Sequence, residues 1–126
     1  MLIGITGASG TLGKELINLF KKKYKFSIFN GDIRIQNDLN EWLSNANIDA
    51  IIHLASIVPI RKVNKNPKFA REVNYIGAKN LMNFFLNKKI NLFIQIIINR
   101  YYIFYSCNSW NNKMFVFNDL FLYILR

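Results

Sequence analysis

Residues 1–16 read MLIGITGASGTLGKEL. A short apolar run, Leu2 to Thr6, stops at Gly7, and further glycines follow at Gly10 and Gly13. The run is short, apolar and ended by glycine, which predicts a buried strand. Across residues 11–23, Leu12, Leu16, Leu19 and Phe20 recur at helical spacing, which predicts a helix. A strand, a tight turn and a helix present the helix N-terminus, with its unpaired N–H groups and positive dipole end, to whatever lies above the turn. The glycines indicate what that is. Gly7 permits the turn, Gly10 lets backbone approach a ligand, and Gly13 lets the helix pack close to the strand. Thr6, Ser9 and Thr11 offer hydroxyl donors beside it. The arrangement suits closely spaced phosphate oxygens, and a strand before and a helix after point to a dinucleotide. The alternative is an ordinary glycine-rich turn. A P-loop is excluded, because no Gly-Lys-Ser/Thr closes the stretch.

Working outward, residues 26–29 predict a second short strand, and Asn30-Gly31-Asp32 a turn. Residues 38–46 predict a helix with Leu39, Trp42 and Leu43 on one face. DAIIHL, residues 49–54, predicts a third buried strand. A loop runs from Pro59 to Pro67, and Pro67 suits the first turn of a helix reaching about Asn87. Phe69, Val73, Ile76, Leu81 and Phe84 form its apolar stripe. Residues 91–98 predict a fourth strand. Strands alternating with helices imply an α/β fold: a Rossmann-type parallel sheet with helices on both faces, truncated at this length.

The chain has 126 residues, enough for one domain. Its net charge is +10, yet the Lys and Arg residues are scattered except for Lys21, Lys22, Lys23 and Lys25 at a helix end. Cations suit that position, so a solvated basic face is expected and neither a nucleic acid nor a membrane as partner. Cys107 is the single cysteine, which excludes an internal disulfide and fits a reducing cytoplasm. No metal site is expected. No signal peptide is read at the N-terminus, and no apolar stretch reaches a membrane span. His53, alone in the chain, is expected to be a strand-end histidine and not a base.

Four motifs in order resemble those of the NAD-dependent epimerase/dehydratase family, the extended short-chain dehydrogenases/reductases. TGASGTLG (residues 6–13) resembles the TGxxGxxG signature. GDIR (31–34) is similar to the segment that contacts adenine, HLAS (53–56) to the stretch after a central strand, and VNYIGAKNL (73–81) to the helix beside the cofactor. The resemblance covers about residues 1–89. It implies NAD or NADP as cofactor and a nucleotide-sugar substrate in the parent enzymes, which act as epimerases, dehydratases or reductases. The loop residues Gly7, Ser9, Gly10, Thr11, Leu12 and Gly13 would hold the pyrophosphate. Asp32 would accept from the adenine amino group, with Ile33 packing on the ring. Leu54, Ala55, Ser56, Ile57 and Val58 would line the trough toward the nicotinamide. Asp32 alternatively caps a turn, and Asn74 alternatively satisfies a backbone group.

Two departures limit the activity expected. One strand, not two, fits between the first helix and GDIR, as in compact sugar-nucleotide reductases similar to dTDP-4-dehydrorhamnose reductase. No residue after Phe29 then decides NAD against NADP. The family's Tyr-x-x-x-Lys has a formal match at Tyr75 and Lys79, but inside the cofactor-side helix, where chance and packing explain it. Ser106 resembles the strand-end serine only loosely. No catalytic residue is therefore assigned, and the C-terminal substrate domain that the resemblance implies is not expected in these 126 residues. Residues 1–91 are expected to form the dinucleotide-binding domain. Residues 92–126 are an aromatic and Asn-rich tail with no Gly or Pro and no clean period. The tail reads either as a strand and closing helix or, as the favoured alternative, as a frameshifted or truncated end. The expected function is cofactor binding by an N-terminal part of a nucleotide-sugar enzyme without catalysis of its own. A non-catalytic dinucleotide-binding or protein-interaction module is the alternative, and a basic nucleic-acid binder with a Rossmann-like core a third.

Overall fold

The computed structural model describes residues 1–58 and 60–87 and the backbone of 92–97, 102–106 and 114–117; side chains are described for 1–58 and 61–84. Its strands are β1 (Leu2–Thr6), β2 (Lys25–Ile28), β3 (Ala50–His53), β4 (Leu92–Ile97), β5 (Tyr102–Ser106) and β6 (Met114–Phe117). Its helices are α1 (Thr11–Phe20), α2 (Gln36–Ser44), α3 (Ile60–Lys65), α4 (Pro67–Arg71) and α5 (Ala78–Asn87), with a π-helical turn at Glu72–Gly77 joining α4 to α5.

The sheet order is β2-β1-β3-β4-β5-β6. The first four strands in that order are parallel. The chain moves one way from β1 to β2 and the other way from β2 to β3. Right-handed crossovers therefore place α1 on one face of the sheet and α2 on the other. They also make the gap between the carboxyl ends of β1 and β3 a topological switch point, where open α/β sheets bind ligands.

Strand alternation distributes the core. Gly4, level with Ser27 and Ile51, faces α2, where a Cβ at Gly4 would lie 2.9 Å from Ile48 and 3.0 Å from Trp42. The Trp42 indole N–H donates to the Ser27 hydroxyl at 2.9 Å, and the Trp42 ring leans on Phe29. Around them Ile33, Leu39, Leu43, Ile48, Ile51 and Leu81 form one buried cluster. Ile3 and Ile5 are buried on the opposite face, on which α1 returns. Burial of this kind is the main stabilising term of the fold, and truncating one such residue to Ala costs about 2–5 kcal/mol.

Several expectations change. The helix from Pro67 is continuous to Asn87, but its π-helical turn alters the phase of the side chains. Phe69 thus leaves the expected stripe and is exposed, whereas Leu81 is fully buried. Residues expected to be loop before Pro67 form α3. The sheet is not wholly parallel: β5 runs antiparallel to β4, and β6 to β5. An apolar run carries no direction, so its pairing sense was not legible. Residues 91 and 98, the ends of the expected fourth strand, and Cys107 lie outside the described residues.

Candidate functional site

β1 ends at Thr6, and Gly7 turns the chain with a positive φ of 74° that a residue with a Cβ adopts only under strain. The space forbids a Cβ as well: it would lie 2.6 Å from the Ala55 nitrogen, because the glycine loop rests directly on the chain leaving β3. Gly13, in the first turn of α1, packs just as closely. A Cβ there would be 2.5 Å from the Gly7 carbonyl oxygen and 2.7 Å from Ala8 Cα. Gly10 differs, since a Cβ would meet only the Gly7 oxygen, at 3.3 Å. Its exposed face opens above the helix start.

That helix start is uncommitted. Gly10 is the N-cap of α1, no side chain caps it, and the first turn carries no acid. Four N–H groups at a helix start lack intrahelical partners. Ser9, Gly10 and Thr11 are exposed around them and Leu12 is half-buried. These residues fit a pyrophosphate: donors and a positive dipole end face outward, and no carboxylate of the first turn repels it.

The second wall is residues 54–58, all half-buried. The Leu54 N–H donates to the Thr6 carbonyl at 3.1 Å and the Ala55 N–H to the Thr6 hydroxyl at 3.3 Å. Beyond Ser56, Ile57 is held by Asn74: its N–H donates to the Asn74 side-chain oxygen at 2.7 Å, and its carbonyl accepts from the Asn74 amide at 2.9 Å. Asn74 belongs to the π-helical turn, so the amide of one helix imitates a strand partner for this loop. Val58 follows, also half-buried.

The third wall is residues 31–35. The Asp32 N–H donates to the Asp38 carboxylate at 2.8 Å. The Asp32 carboxylate accepts from the Arg34 N–H at 2.9 Å, from Arg34 Nε at 3.0 Å and from the Arg34 terminal nitrogen at 2.5 Å. These hydrogen bonds hold the Asp32 carboxyl below its ordinary value. Arg34 also bridges to Glu72 at 3.1 Å, and its guanidinium lies 4.6 Å from the centre of the Phe69 ring. Ile33 is 5% exposed and belongs to the core, which leaves little of its side chain for an adenine ring. Gly77 presses against it: a Cβ there would be 2.5 Å from an Ile33 methyl. Asn80 donates to the Arg34 carbonyl at 3.1 Å. The helical run from Pro67 therefore docks on both outer loops, at Asn74, at Glu72 and at Gly77 with Asn80.

His53 closes β3, buried, with its Nδ1 sharing a 2.6 Å hydrogen bond with the Thr6 hydroxyl. Burial pushes its pKa down to about 4, so it is neutral at pH 7. Tyr75 is exposed with Arg71 over its ring at 5.4 Å, and no hydrogen bond joins it to Lys79. Ser106 stands level with Phe93 near the start of β4. The antiparallel direction of β5 therefore sets Ser106 at the amino edge of the parallel strands, away from the glycine loop. No group of three metal-ligating side chains stands together among the described residues.

An uncapped helix behind a positive-φ glycine, at the switch point of a β2-β1-β3-β4 sheet, is matched over residues 1–112 by the family described as RmlD substrate binding domain. The chain belongs to that family. Among relatives of the RmlD-family chain, GDP-6-deoxy-D-talose 4-dehydrogenase of Aggregatibacter actinomycetemcomitans is 35% identical over 88 residues, 65% of this chain and 29% of that one. The dTDP-4-dehydrorhamnose reductase of Bacillus anthracis, solved in complex with NADP, is 30% identical with a TM-score of 0.58; the match covers 64% of this chain and 30% of that one. The UDP-glucose 4-epimerase of Thermus thermophilus, solved with NAD, shares the fold at 18% identity and a TM-score of 0.61, covering 66% and 33% of the two chains. The chain thus spans about 30% of the length of these relatives. No helix among the described residues is long and apolar enough to cross a membrane.

Proposed function

We propose that this chain is the dinucleotide-binding part of a nucleotide-sugar reductase or epimerase. The uncapped, exposed start of α1 over Gly10 is the observation that carries this reading. The α1 N–H groups, with Ser9 and Thr11, hold the pyrophosphate. The trough between Gly7 and residues 54–58 receives the nicotinamide half, its outer wall kept in place by Asn74. Residues 31–34 lie on the adenine side, where Asp32 meets an adenine amino group only with oxygens it already shares with Arg34. A bound nicotinamide supplies hydride transfer to or from a sugar carbon. No catalysis by the chain itself is proposed, and turnover is assigned to parts of the relatives that this chain does not match. A frameshifted end after residue 91 and a cytoplasmic setting belong to the proposal; translating the gene's other frames beyond the codon for Leu92 tests the first.

Titration of the purified chain with NADH and NADPH, followed by nicotinamide fluorescence, tests the proposal. Saturable one-to-one binding that is lost in Gly10→Glu is expected, because a carboxylate would then occupy the phosphate position. Absence of saturable binding to either nucleotide overturns the reading.

A further inference from the structure

Residues 60–79 carry six of the chain's cations and one acid. In the sequence these cations read as scattered, because they follow a helical run that changes period at Glu72–Gly77. In the fold, Lys68, Arg71, Tyr75 and Lys79 stand three, four and four residues apart along that run, which sets them on one face. The Arg71 guanidinium lies over the Tyr75 ring at 5.4 Å, so the face continues from α4 into the π-helical turn. All four side chains are exposed, and Tyr75 is 55% exposed. Arg61, Lys62 and Lys65, also exposed, precede them on α3. The one acid, Glu72, bridges to Arg34 at 3.1 Å. Among the described residues none of the six cations takes part in an ion pair.

From Lys68 to Lys79 the stripe runs about 16 Å. That length meets more than one phosphate of a nucleic-acid strand, and each phosphate neutralised by a cation releases counterions. Cations alone would serve any polyanion. The exposed ring among them narrows the choice, because bases stack on aromatic rings and on guanidinium planes. A duplex keeps its bases stacked on one another, so the ring favours a single strand. A lipid surface asks instead for apolar anchors among the cations, and a tyrosine stands in that place. A second copy of the stripe would bring like charges together.

We propose that this helical face binds single-stranded nucleic acid, with phosphates on Lys68, Arg71 and Lys79 and a base on Tyr75. The surface lies outside the glycine loop, so it stands or falls separately from the dinucleotide reading.

The test is fluorescence anisotropy of a labelled oligouridylate of about 12 nucleotides, titrated with the full chain at stepped salt. Saturable binding that weakens with salt is expected. A Lys68→Gln/Arg71→Gln/Lys79→Gln variant should flatten the log–log salt slope by about two, since each lost phosphate contact removes about 0.7. Tyr75→Ala should weaken binding about ten-fold with little change of slope. Lys22→Gln/Lys23→Gln removes charge at the end of α1 and should leave the slope unchanged. Unchanged thermal midpoints show that each variant is folded. An abasic strand of the same length should bind about ten-fold more weakly than oligouridylate. The proposal is overturned by absence of saturable binding, by a slope that falls equally in the Lys22/Lys23 variant, or by an abasic strand that binds as tightly. Tighter binding to phosphatidylserine vesicles than to oligouridylate overturns it in favour of a membrane.

Discussion

The two sides of the carboxyl edge of the parallel strands are built by opposite means. The glycine loop, residues 7–10, is shaped by backbone: a positive φ at Gly7, close approaches at Gly7 and Gly13, and a helix start that no side chain caps. The loops after β2 and β3 are shaped by side chains reaching from one helical run: Asn74 on Ile57, Glu72 on Arg34, and Asn80 on the carbonyl of Arg34. A loop made of backbone keeps its polar groups free for a ligand. A loop made by side chains consumes them in holding itself. The difference is why the proposal gives phosphate binding to the first region and shape to the second, and it predicts that the two respond differently to substitution.

The largest effect is expected at Gly13. A valine there meets the Gly7 oxygen and Ala8 with nowhere to move, since both are backbone. Overpacking of this kind should cost about 3 kcal/mol. Dinucleotide binding should fall beyond detection even at temperatures where the chain stays folded. Leu39→Ala is the matched control: it loses a comparable amount through a cavity, yet should keep its affinity in the folded fraction. Denaturant unfolding and nicotinamide fluorescence on the two variants separate the outcomes, and equal affinities in both would break the contrast.

His53 comes next, because it joins the two regions through Thr6. Its pKa is lowered from 6.5 to about 4 by burial. Below pH 6.5 the unfolded chain takes up a proton that the folded chain refuses, so stability falls as pH drops from 6.5 toward 4. Between pH 7 and pH 5 the loss should be about 2 kcal/mol. His53→Gln should be less stable at pH 7 but nearly flat across that interval. Urea titrations at stepped pH measure the slope, and an unchanged slope in the variant would assign it elsewhere.

How much of this was legible in the sequence follows the same division. The glycine loop was readable because glycine at 7 and 13 is dictated by backbone geometry, which leaves a mark in residue type. The order of strands and helices was readable from apolar runs and from helical spacing at Leu39, Trp42 and Leu43. Phe69 was misplaced because a stripe drawn at the α-helical period does not survive a π-helical turn, and no residue in EVNYIG announces one. The direction of β5 was hidden because alternation has no sense along the chain. Arg34 stands two residues from Asp32, so their pairing is legible in the spacing alone, although it leaves open whether Asp32 also meets a ligand. Charge at a helix end is legible for Lys21, whereas its place beside Ile28 and Asn30 depends on how α1 crosses the sheet, which only the folded chain shows.

Asn74→Ala should act on the side-chain-built region alone. It frees the N–H and carbonyl of Ile57, both of which water can reach, so the loss of stability should be about 1 kcal/mol. Affinity for the whole dinucleotide should weaken, whereas affinity for 5′-ADP, which does not reach the 54–58 trough, should hold. Equal losses for both ligands would show that Asn74 supports the glycine loop as well.

Arg34→Gln should have the smallest effect on stability, because its partners Asp32 and Glu72 are about a third exposed and ion pairs in such positions contribute little. Its consequence is electrostatic. Without the guanidinium, the Asp32 carboxyl should move back up toward 3.8, the ordinary value from which Arg34 lowers it. A carboxyl lowered in the folded state contributes stability above its unfolded pKa and loses that contribution as pH falls through the folded one. The variant and the natural chain should therefore differ most above pH 3.8 and converge in stronger acid, whereas most of the His53 effect has been lost by then. Carboxyl chemical shifts followed through an acid titration measure the Asp32 change directly. The same substitution frees the Asp32 oxygens, so affinity for adenine nucleotides should rise if Arg34 competes with the base for them. A fall in affinity would instead show that Arg34 positions Asp32 for the ligand, and the second region would then bind as well as shape.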